Sequence, residues 1–427
     1  MKLNIEVAES LTELKEFLAN TILKSNFELS QLRLSDQDEW GLFDGALSHK
    51  NQGFFHVNGL KHTKTEEEHL VLFQPQSALT GLTLCRHNKT AYVLLQARIE
   101  PGNTNIGQYG PTIQSTPANY LSLHGGSPTP YIQMFNTFNS QVRVIENSMQ
   151  LDIGKRYFQK SKSHIYVETK GLAETDQNMI WASFPAITEA MVEDNFLNAD
   201  LRSLLAIFNW DGFLHYSEQS LCSEPSMDFL SQLITGKQLK PQQWDLIPVT
   251  QLTRWKVTES GIEDIDNSGV SICLHRTVCQ GREVKSWVQP LMRASNQGLV
   301  RLLMRNFDGE IQFLLSLKGE FGISGEQTIL PSYVTYPGES LEDKALPIGA
   351  TIRSEILQSD EGGRFLQHES LYQVIQINSE YNLEDDQYWV NAYTLKKILS
   401  TSNQVSFQLR CVVSLILPIL NPVTFEL

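Results

Sequence analysis

The apolar and polar positions near the start of the chain predict a helix. Ser10-Leu-Thr-Glu13 is a capping-box pattern, in which a serine side chain and a glutamate side chain each accept a backbone N–H at a helix start. Leu14, Phe17, Leu18 and Ile22 follow at helical spacing. The sequence therefore predicts an amphipathic helix over residues 9–24.

Farther along, the pattern predicts short strands and few helices. Apolar runs bounded by turn residues predict a strand over 90–99 and a strand with an internal turn over 156–169. Residues 181–191 and 199–208 have the spacing of helices. Since strands and helices do not alternate as regular βαβ units, the pattern favours an α+β fold.

Several characteristic residues of the first half have matching residues in the second half, in the same order. Trp40 and Trp255 are separated by the same number of residues as Gln74 and Gln289. The further matches are Glu100 with Glu320, Gly154–Phe158 with Gly363–Phe365, Trp181 with Trp389, and Arg202 with Arg410. Repeats of roughly 200 residues are duplicated globular domains, not solenoid units. The sequence predicts a first domain over 1–218 and a second over 219–427, with an amphipathic helix over 227–236 in the second.

The stretch 94–135 differs from both generic core and generic surface. Glycine and proline break it into turns, and apolar and aromatic residues are spaced through it as anchors. Its polar side chains include Gln96, Arg98, Glu100, Asn103, Gln108, Gln114, Asn119, Tyr120 and His124. Such a surface suits hydrogen bonding to a polyhydroxylated, anionic ligand, and the alternative is a long solvated loop.

Composition and charge narrow the class of protein. The chain has 427 residues, of which 41% are hydrophobic and 19% are charged, as in an ordinary globular protein of two or three domains. The formal net charge is -14 and no basic block stands out, so nucleic acid is a poor candidate partner.

Cysteine usage and hydropathy predict a cytoplasmic protein. The five cysteines are odd in number and form no C-x-x-C motif, which disfavours a disulfide framework or a structural zinc site. The N-terminus has no apolar signal region, and the apolar run from Val412 to Leu420 is too short to span a bilayer.

Within the stretch 94–135 the chain resembles a known family. The run QARIEPGN over 96–103, followed by PTIQ over 111–114, Asn119-Tyr120, His124-Gly125 and Pro130-Tyr131, resembles the NDP-4-keto-6-deoxyhexose 2,3-dehydratases of deoxysugar biosynthesis. The resemblance implies a lyase that removes water across C2 and C3 of an NDP-4-keto-6-deoxyhexose, with dTDP as the expected nucleotide. The product is a 3,4-diketo-2,6-dideoxyhexose.

The resemblance also carries expectations about architecture and partners. It implies two tandem Nudix-like repeats, a homodimer, no metal and no cofactor, with NADPH serving only a separate downstream 3-ketoreductase. Neither half contains a Nudix box, so metal-dependent hydrolysis of a diphosphate is not supported.

The reaction needs a base, an acid and donors to an oxyanion. The C4 ketone makes the C3 hydrogen acidic, and Glu100 is the first candidate for the base. Against this, Glu320 persists at the matching position, which suits a structural carboxylate. Tyr120 and His124 are the other proton-transfer candidates, and a structural role for His124 before a Gly-Gly turn stays open.

Residues other than these are expected to bind the substrate. These are Gln96, Arg98, Asn103, Gln108, Thr112, Gln114, Asn119, Tyr131 and Arg202. Arg202 either clamps a phosphate or is a paired structural residue. In the second half most of these amides are replaced, which predicts an eroded site there, unless that half binds something else. The alternative to a lyase is a non-catalytic nucleotide-sugar binding protein or subunit on the same fold.

Overall fold

The computed structural model describes residues 4–122, 125, 127–135, 142–215, 243–323, 327–340, 345–378 and 381–420. The strands of the first half are β1 (Val7–Ala8), β2 (Glu28–Leu32), β3 (Trp40–Phe43), β4 (Ala46–His49), β5 (His56–His62), β6 (Glu68–Phe73), β7 (Ala78–His87), β8 (Thr90–Ile99), β9 (Gly107–Gly110), β10 (Ile113–Ser115), β11 (Val142–Leu151), β12 (Tyr157–Phe158), β13 (Ser161–Thr169) and β14 (Met179–Ser183). Its helices are α1 (Leu11–Ser25), α2 (Pro117–Tyr120), α3 (Phe184–Ala190), α4 (Ala199–Ile207) and α5 (Trp210–His215).

The second half is built from a similar set of elements. Its strands are β15 (Trp244–Ile247), β16 (Trp255–Thr258), β17 (Gly261–Asp264), β18 (Val270–Val278), β19 (Ser286–Ala294), β20 (Gly298–Phe307), β21 (Glu310–Gly319), β22 (Gln327–Pro331), β23 (Tyr333–Thr335), β24 (Thr351–Ser359), β25 (Phe365–Leu366), β26 (Glu369–Gln376) and β27 (Gln387–Asn391). Its helices are α6 (Ala392–Leu399), α7 (Phe407–Val413) and α8 (Leu417–Leu420). The described chain is therefore a mixed α+β protein in which strands predominate, as the sequence predicts.

The strands of the described residues form four sheets. The first has the order β1-β14-β8-β7-β13-β11 with β9 and β10 attached, and the second has the order β12-β6-β5-β4-β3. The third has the order β16-β17-β18-β19-β25, and the fourth has the order β22-β21-β20-β26-β24 with β23 and β27 attached. Strand β7 pairs antiparallel with β8 and parallel with β13, and β20 pairs in the same two ways with β21 and β26.

Each half supplies one strand to a sheet of the other half. Strand β2 of the first half pairs with β18, and β15 of the second half pairs with β5. Helix α4 packs on α7, where Arg410 Nε donates a hydrogen bond of 2.7 Å to Ser203 Oγ. One hydrophobic core runs through both halves and includes Trp40, Leu72, Trp255 and Phe313. The cavity described below lies at this junction.

Most predicted elements that fall on described residues are confirmed. Helix α1 begins with the predicted capping box, because Ser10 Oγ accepts from Glu13 N at 3.3 Å and Glu13 Oε2 accepts from Ser10 N at 3.1 Å. The predicted helix over 181–191 is wrong in its first part. Trp181 lies in β14, opposite Leu94 of β8, and helix α3 starts only after the N-cap residue Ser183. The predicted helix over 227–236 lies outside the described residues.

Candidate active site

The described residues enclose a cavity of about 450 Å³ at the junction of the two halves. This volume is in the usual range for a small-ligand site. From the first half it is lined by the aromatic segment from β3 to Phe55, by Gln74, Ala78 and Thr80, by the polar stretch that begins at Arg98, and by Lys162 and Asp200. The second half contributes residues of the segments 282–289 and 361–364. Both halves therefore build the same site.

An arginine–glutamate pair lies at one side of the cavity. Arg98 is on β8 and Glu100 follows the end of that strand, so the strand presents both side chains to the cavity. Arg98 Nη2 and Nε lie 2.8 Å and 3.1 Å from Glu100 Oε1. Arg98 Nη1 also donates to Gln96 Oε1 at 2.7 Å. The pair places a fixed cation and a carboxylate next to each other, and both side chains are buried.

Two amides of the polar stretch line the same cavity. Gln114 is on β10, and its Oε1 accepts a hydrogen bond of 2.9 Å from Nδ2 of Asn198, the N-cap residue of α4. Asn119 is on the short helix α2. Amides held in this way can donate to and accept from sugar hydroxyls.

The turn after Glu100 is locked to the second half. Gly102 N donates to Gly362 O at 2.7 Å, and Gln367 N donates to Gly102 O at the same distance. A Cβ atom at Gly102 would lie 1.6 Å from the Phe365 carbonyl oxygen, so only glycine fits at this crossing. The crossing brings Glu361 and Arg364 of the second half into the cavity wall.

A buried ion cluster forms the floor of the cavity. Lys162 Nζ lies 2.9 Å from Asp200 Oδ1, 3.3 Å from Asp152 Oδ2 and 3.5 Å from Glu361 Oε2. Arg364 Nη1 lies 3.0 Å from Glu361 Oε1. Lys162, Asp200 and Glu361 line the cavity, so the cluster is in reach of a ligand there.

The environment separates the pKa values of these groups. Burial alone would raise the pKa of Glu361, but Arg364 and Lys162 hold it at about 2. Burial raises the pKa of Asp200 to about 6, although Lys162 opposes the change. Lys160 lies behind the lining, where its Nζ donates to Oε1 of the cavity residue Gln74 at 2.6 Å. Burial and the charge of Arg364 lower the pKa of Lys160 to about 7. Such separation of neighbouring titratable groups is typical of sites that move protons.

Aromatic rings form another wall of the cavity. His49 lies edge-on to Trp40, with ring centroids 5.4 Å apart, and 4.8 Å from the ring of Phe54. Trp40 is fixed by a hydrogen bond of 2.8 Å from its Nε1 to Val288 O. Trp287 lines the cavity from the second half. Flat apolar faces of this kind suit a nucleobase.

The structure brings only some of the predicted site residues together. Arg98, Glu100, Gln114 and Asn119 line the cavity, and Gln96 contacts Arg98. Tyr120 is half-buried next to Asn119 on α2 but is outside the cavity lining. His124 lies outside the described residues.

Thr112 and Tyr131 are engaged within the fold rather than in the cavity lining. Thr112 Oγ1 donates to Leu94 O at 2.6 Å and accepts from Thr83 N at 2.8 Å. Tyr131 Oη donates to the Glu174 carbonyl at 3.1 Å and accepts from a backbone amide at 2.8 Å. Both side chains therefore join backbone segments.

Asn103, Gln108 and Arg202 are also outside the cavity lining. Asn103 Nδ2 donates to the Ile106 carbonyl at 3.3 Å, and Gln108 Nε2 donates to Ser359 Oγ at 2.7 Å. Arg202 is fully buried, and its Nε donates to Gln358 Oε1 at 2.6 Å. Of the two readings of Arg202, these contacts favour the structural residue over the phosphate clamp.

In the second half, Glu320 stands at the position that matches Glu100, and a tyrosine covers its carboxylate. Tyr336 Oη donates to Glu320 Oε1 and lies 3.1 Å from Gln408 Oε1. Burial raises the pKa of Glu320 to about 7. Glu320 is thus covered by a tyrosine of its own half, whereas Glu100 faces the cavity.

The sequence pattern does not predict the ion cluster. Lys162, Asp200 and Glu361 carry no local motif, because their partners are distant in sequence. One signal was present: Lys162 is in phase with His164 and Tyr166 on β13, and alternate residues of a strand share one face. A lysine in phase with residues of the buried face indicates a buried charge.

Comparisons with known proteins identify the family. The profile described as NDP-hexose 2,3-dehydratase matches residues 11–208 and again 227–416. The chain belongs to this family. It is therefore a lyase that removes water across C2 and C3 of an NDP-hexose in deoxysugar biosynthesis, as the sequence predicts, and nothing favours the alternative of a non-catalytic binding protein.

Three curated relatives carry one and the same name. A dTDP-4-dehydro-6-deoxy-alpha-D-glucopyranose 2,3-dehydratase of Streptomyces violaceoruber is 26% identical, over 90% of this chain and 92% of the relative. Enzymes of that name from Saccharopolyspora spinosa and Amycolatopsis orientalis are 23% and 26% identical, over 94% and 91% of this chain and 90% and 86% of the relatives. Among solved structures, an Ap4A hydrolase of C. elegans matches 24% of this chain and 86% of its own, at 16% identity and a TM-score of 0.18.

Proposed function

We propose that the substrate is dTDP-4-keto-6-deoxyglucose and that Glu100 is the base. Three relatives that match about nine-tenths of this chain bear the name of that activity. The observation that carries the assignment of chemistry is the Arg98–Glu100 pair in the cavity wall. No other buried carboxylate of the predicted motif lines the cavity among the described residues.

The geometry supports different roles for Arg98 and Glu100. Both Arg98 donors contact Glu100 Oε1, which leaves Oε2 outside the pair. Glu100 takes the C3 proton, and negative charge develops on the C4 oxygen as the enolate forms. Arg98 is the fixed cation beside that charge, and preorganised charge of this kind is most effective where water is excluded. Gln114 and Asn119 hold the sugar hydroxyls.

The test is incubation with dTDP-4-keto-6-deoxyglucose in deuterated water, with and without a 3-ketoreductase and NADPH as a trap. We expect loss of water and deuterium at C2. Glu100→Gln should lower the rate by about 100-fold or more, since general acid–base catalysis contributes that much. The matched control is Glu320→Gln in the second half, which should keep the wild-type rate.

Two outcomes would contradict this function. Full activity of Glu100→Gln would show that Glu100 is not the base. Metal-stimulated cleavage of the diphosphate would indicate a Nudix-type hydrolase instead of a dehydratase.

We further propose that the chain is a tandem duplication of a Nudix-like unit, with halves 1–218 and 219–427. The two matches of one family profile and the shared pairing of β7 and β20 support a duplication. Most of the predicted boundary region lies outside the described residues.

Further expectations from the family resemblance are also proposals. They are a cytoplasmic homodimer, a reaction without cofactor or metal, and a separate 3-ketoreductase that consumes the product. No described helix has the length and apolar character needed to cross a membrane. Light scattering on the purified protein measures the dimer, and turnover after dialysis against a chelator tests the reaction without metal.

A further inference from the structure

Lys162 is placed to hold several carboxylates in position. An ammonium has three donors, and Lys162 faces Asp200, Asp152 and Glu361 at 2.9 Å, 3.3 Å and 3.5 Å. Because its donors are directed at these carboxylates, Lys162 is poorly placed to donate hydrogen bonds to a ligand. Its role is to fix Asp200 and Glu361, and both of these line the cavity.

The two carboxylates that Lys162 holds differ in what they can do. Glu361 is bound by Arg364 as well as by Lys162, and with its pKa at about 2 it stays ionised. Asp200 shares Lys162 with two other carboxylates, and burial raises its pKa to about 6. A proton can therefore be taken up and released at Asp200 near neutral pH, and not at Glu361.

Charged and titratable groups face Asp200 from several elements. Lys162 of β13, Asp152 after β11 and Glu361 of the second half act on it directly. Helix α7 adds Arg410 and Cys411.

The second half provides an internal comparison for this cluster. Lys162 pairs with Ala78 and Gln150, and at the matching register Ser370 pairs with Gly298 and Gln358. Lysine is thus replaced by serine although the strands pair in the same way.

Asp200 and Glu361 are replaced at their matching positions as well. Asp200 is the second residue after the N-cap of α4, and Gln408 is the second after the N-cap of α7. Ile153 occupies the position of the first half that matches Glu361. The backbone carbonyl of each residue accepts hydrogen bonds from the backbone amides three and four residues later. The fold therefore forms without these charges, which are costly to bury. All three charges line the cavity that Glu100 faces.

We propose that Asp200 is the general acid of the dehydration, which protonates the departing C2 hydroxyl, and that Lys162 is the positioning residue that holds it. This inference rests on the proposed function, because it assigns the second proton transfer of the same reaction.

The proton balance closes with two carboxyl groups. Glu100 takes the C3 proton, and the C3–H electrons form the C3–C4 double bond of the enolate. As the C4 carbonyl re-forms, these electrons move to C2–C3 and the C2–O bond breaks. The oxygen leaves as water with the proton of Asp200. The proton on Glu100 exchanges with solvent, and Glu100 then protonates the enol at C2. The C3 hydroxyl proton passes to Asp200, so both groups regain their starting states.

The test is Asp200→Asn, assayed by NMR with dTDP-4-keto-6-deoxyglucose in deuterated water. Water loss should fall by about 100-fold or more. Exchange of the C3 hydrogen of unreacted substrate should continue, because Glu100 still forms the enolate, which then returns to the ketone. The matched control is Gln408→Asn in the second half, which should keep wild-type water loss.

The pH profile separates an acid from a structural residue. Wild-type water loss should decline as the pH rises through the pKa of Asp200, because the protonated form acts. Lys162→Met removes a cation that lowers this pKa, so the decline should move to higher pH in the variant and the rate should fall. A residue with only a structural role would not move the profile.

The outcomes distinguish the two proposals. If Asp200→Asn loses C3 exchange and water loss in parallel while it stays folded, or loses neither, the acid assignment is overturned and the substrate assignment stands. If the wild type leaves this substrate unchanged, the substrate assignment fails, and the acid assignment fails with it.

Discussion

At the scale of single residues, Thr112 and Gln114 show that residue type alone does not separate ligand contacts from structural bonds. Both belong to the run that carries the family resemblance, and they are two positions apart. Gln114 lines the cavity, whereas the hydroxyl of Thr112 is bonded to Leu94 O and Thr83 N. Ser332 makes the same two bonds in the second half, to Leu314 O and from Leu303 N.

We therefore expect Thr112→Val to destabilise the fold and to leave KM unchanged. Two buried backbone groups lose their partner, which costs about 1–3 kcal/mol in the free energy of unfolding. Ser332→Ala should show a loss of similar size. Urea denaturation and steady-state kinetics measure the two effects. An increase in KM at unchanged stability would instead support the substrate contact that the resemblance implies.

The sequence could predict the cavity residues whose partners are close in the chain. Arg98 and Glu100 are two positions apart, at the end of a strand that is evident from its apolar run. Asp200 and Lys162 could not be found in the same way, because a lysine in a strand and an aspartate early in a helix usually face solvent. Only the tertiary packing of α4 against β13 turns them into a buried pair.

At the scale of elements, a tight crossing of two turns shapes the site. The turn after β8 meets the loop before β25 at Gly102, and the turn after β21 meets the loop before β12 at Gly322. A Cβ atom at Gly322 would lie 2.0 Å from the Tyr157 carbonyl oxygen. Both glycines of the matched motif are thus explained by backbone contact between halves, which the sequence did not indicate.

This crossing predicts different effects for two matched variants. Gly102→Ala and Gly322→Ala should each lower the free energy of unfolding by about 1–3 kcal/mol, since a methyl group is forced into packed backbone. Only Gly102→Ala should also lower kcat, by about 100-fold, because displacement of reacting groups by about 1 Å has effects of that size. It moves Glu100 relative to Glu361. Thermal unfolding and turnover measure the two effects, and equal kcat losses in both variants would refute this reading.

The predicted helix over 181–191 is wrong in its first part because those residues pair with a distant strand. Residues 179–183 include Trp181 and Ala182, which by spacing alone continue the apolar face of α3. Their backbone groups pair with β8, and Pro185 at the start of α3 favours a helix that begins there. Pairing with a distant strand overrides a local pattern.

At the scale of the whole molecule, exchange of strands makes the two halves interdependent. Strand β2 completes the sheet of β18, and β15 completes the sheet of β5. The cavity likewise needs Arg364 and Glu361 from the second half. Landmarks such as Trp40 and Trp255 indicate a duplication from sequence, but a strand's partner depends on contacts far away in the chain and leaves no local pattern.

Interdependence predicts that neither half works alone. Residues 1–226 expressed alone lack β15 and leave the pairing edge of β2 exposed, and such open edges promote aggregation. We expect this fragment to be insoluble or inactive. Co-expression with residues 227–427 should restore soluble complex and water loss, because both exchanged strands and both sides of the cavity are then present. Pull-down of one fragment through a tag on the other, followed by the turnover assay, measures this. A soluble first fragment that dehydrates the substrate alone would show that the second half is dispensable for catalysis, and would overturn the role assigned to Glu361 and Arg364.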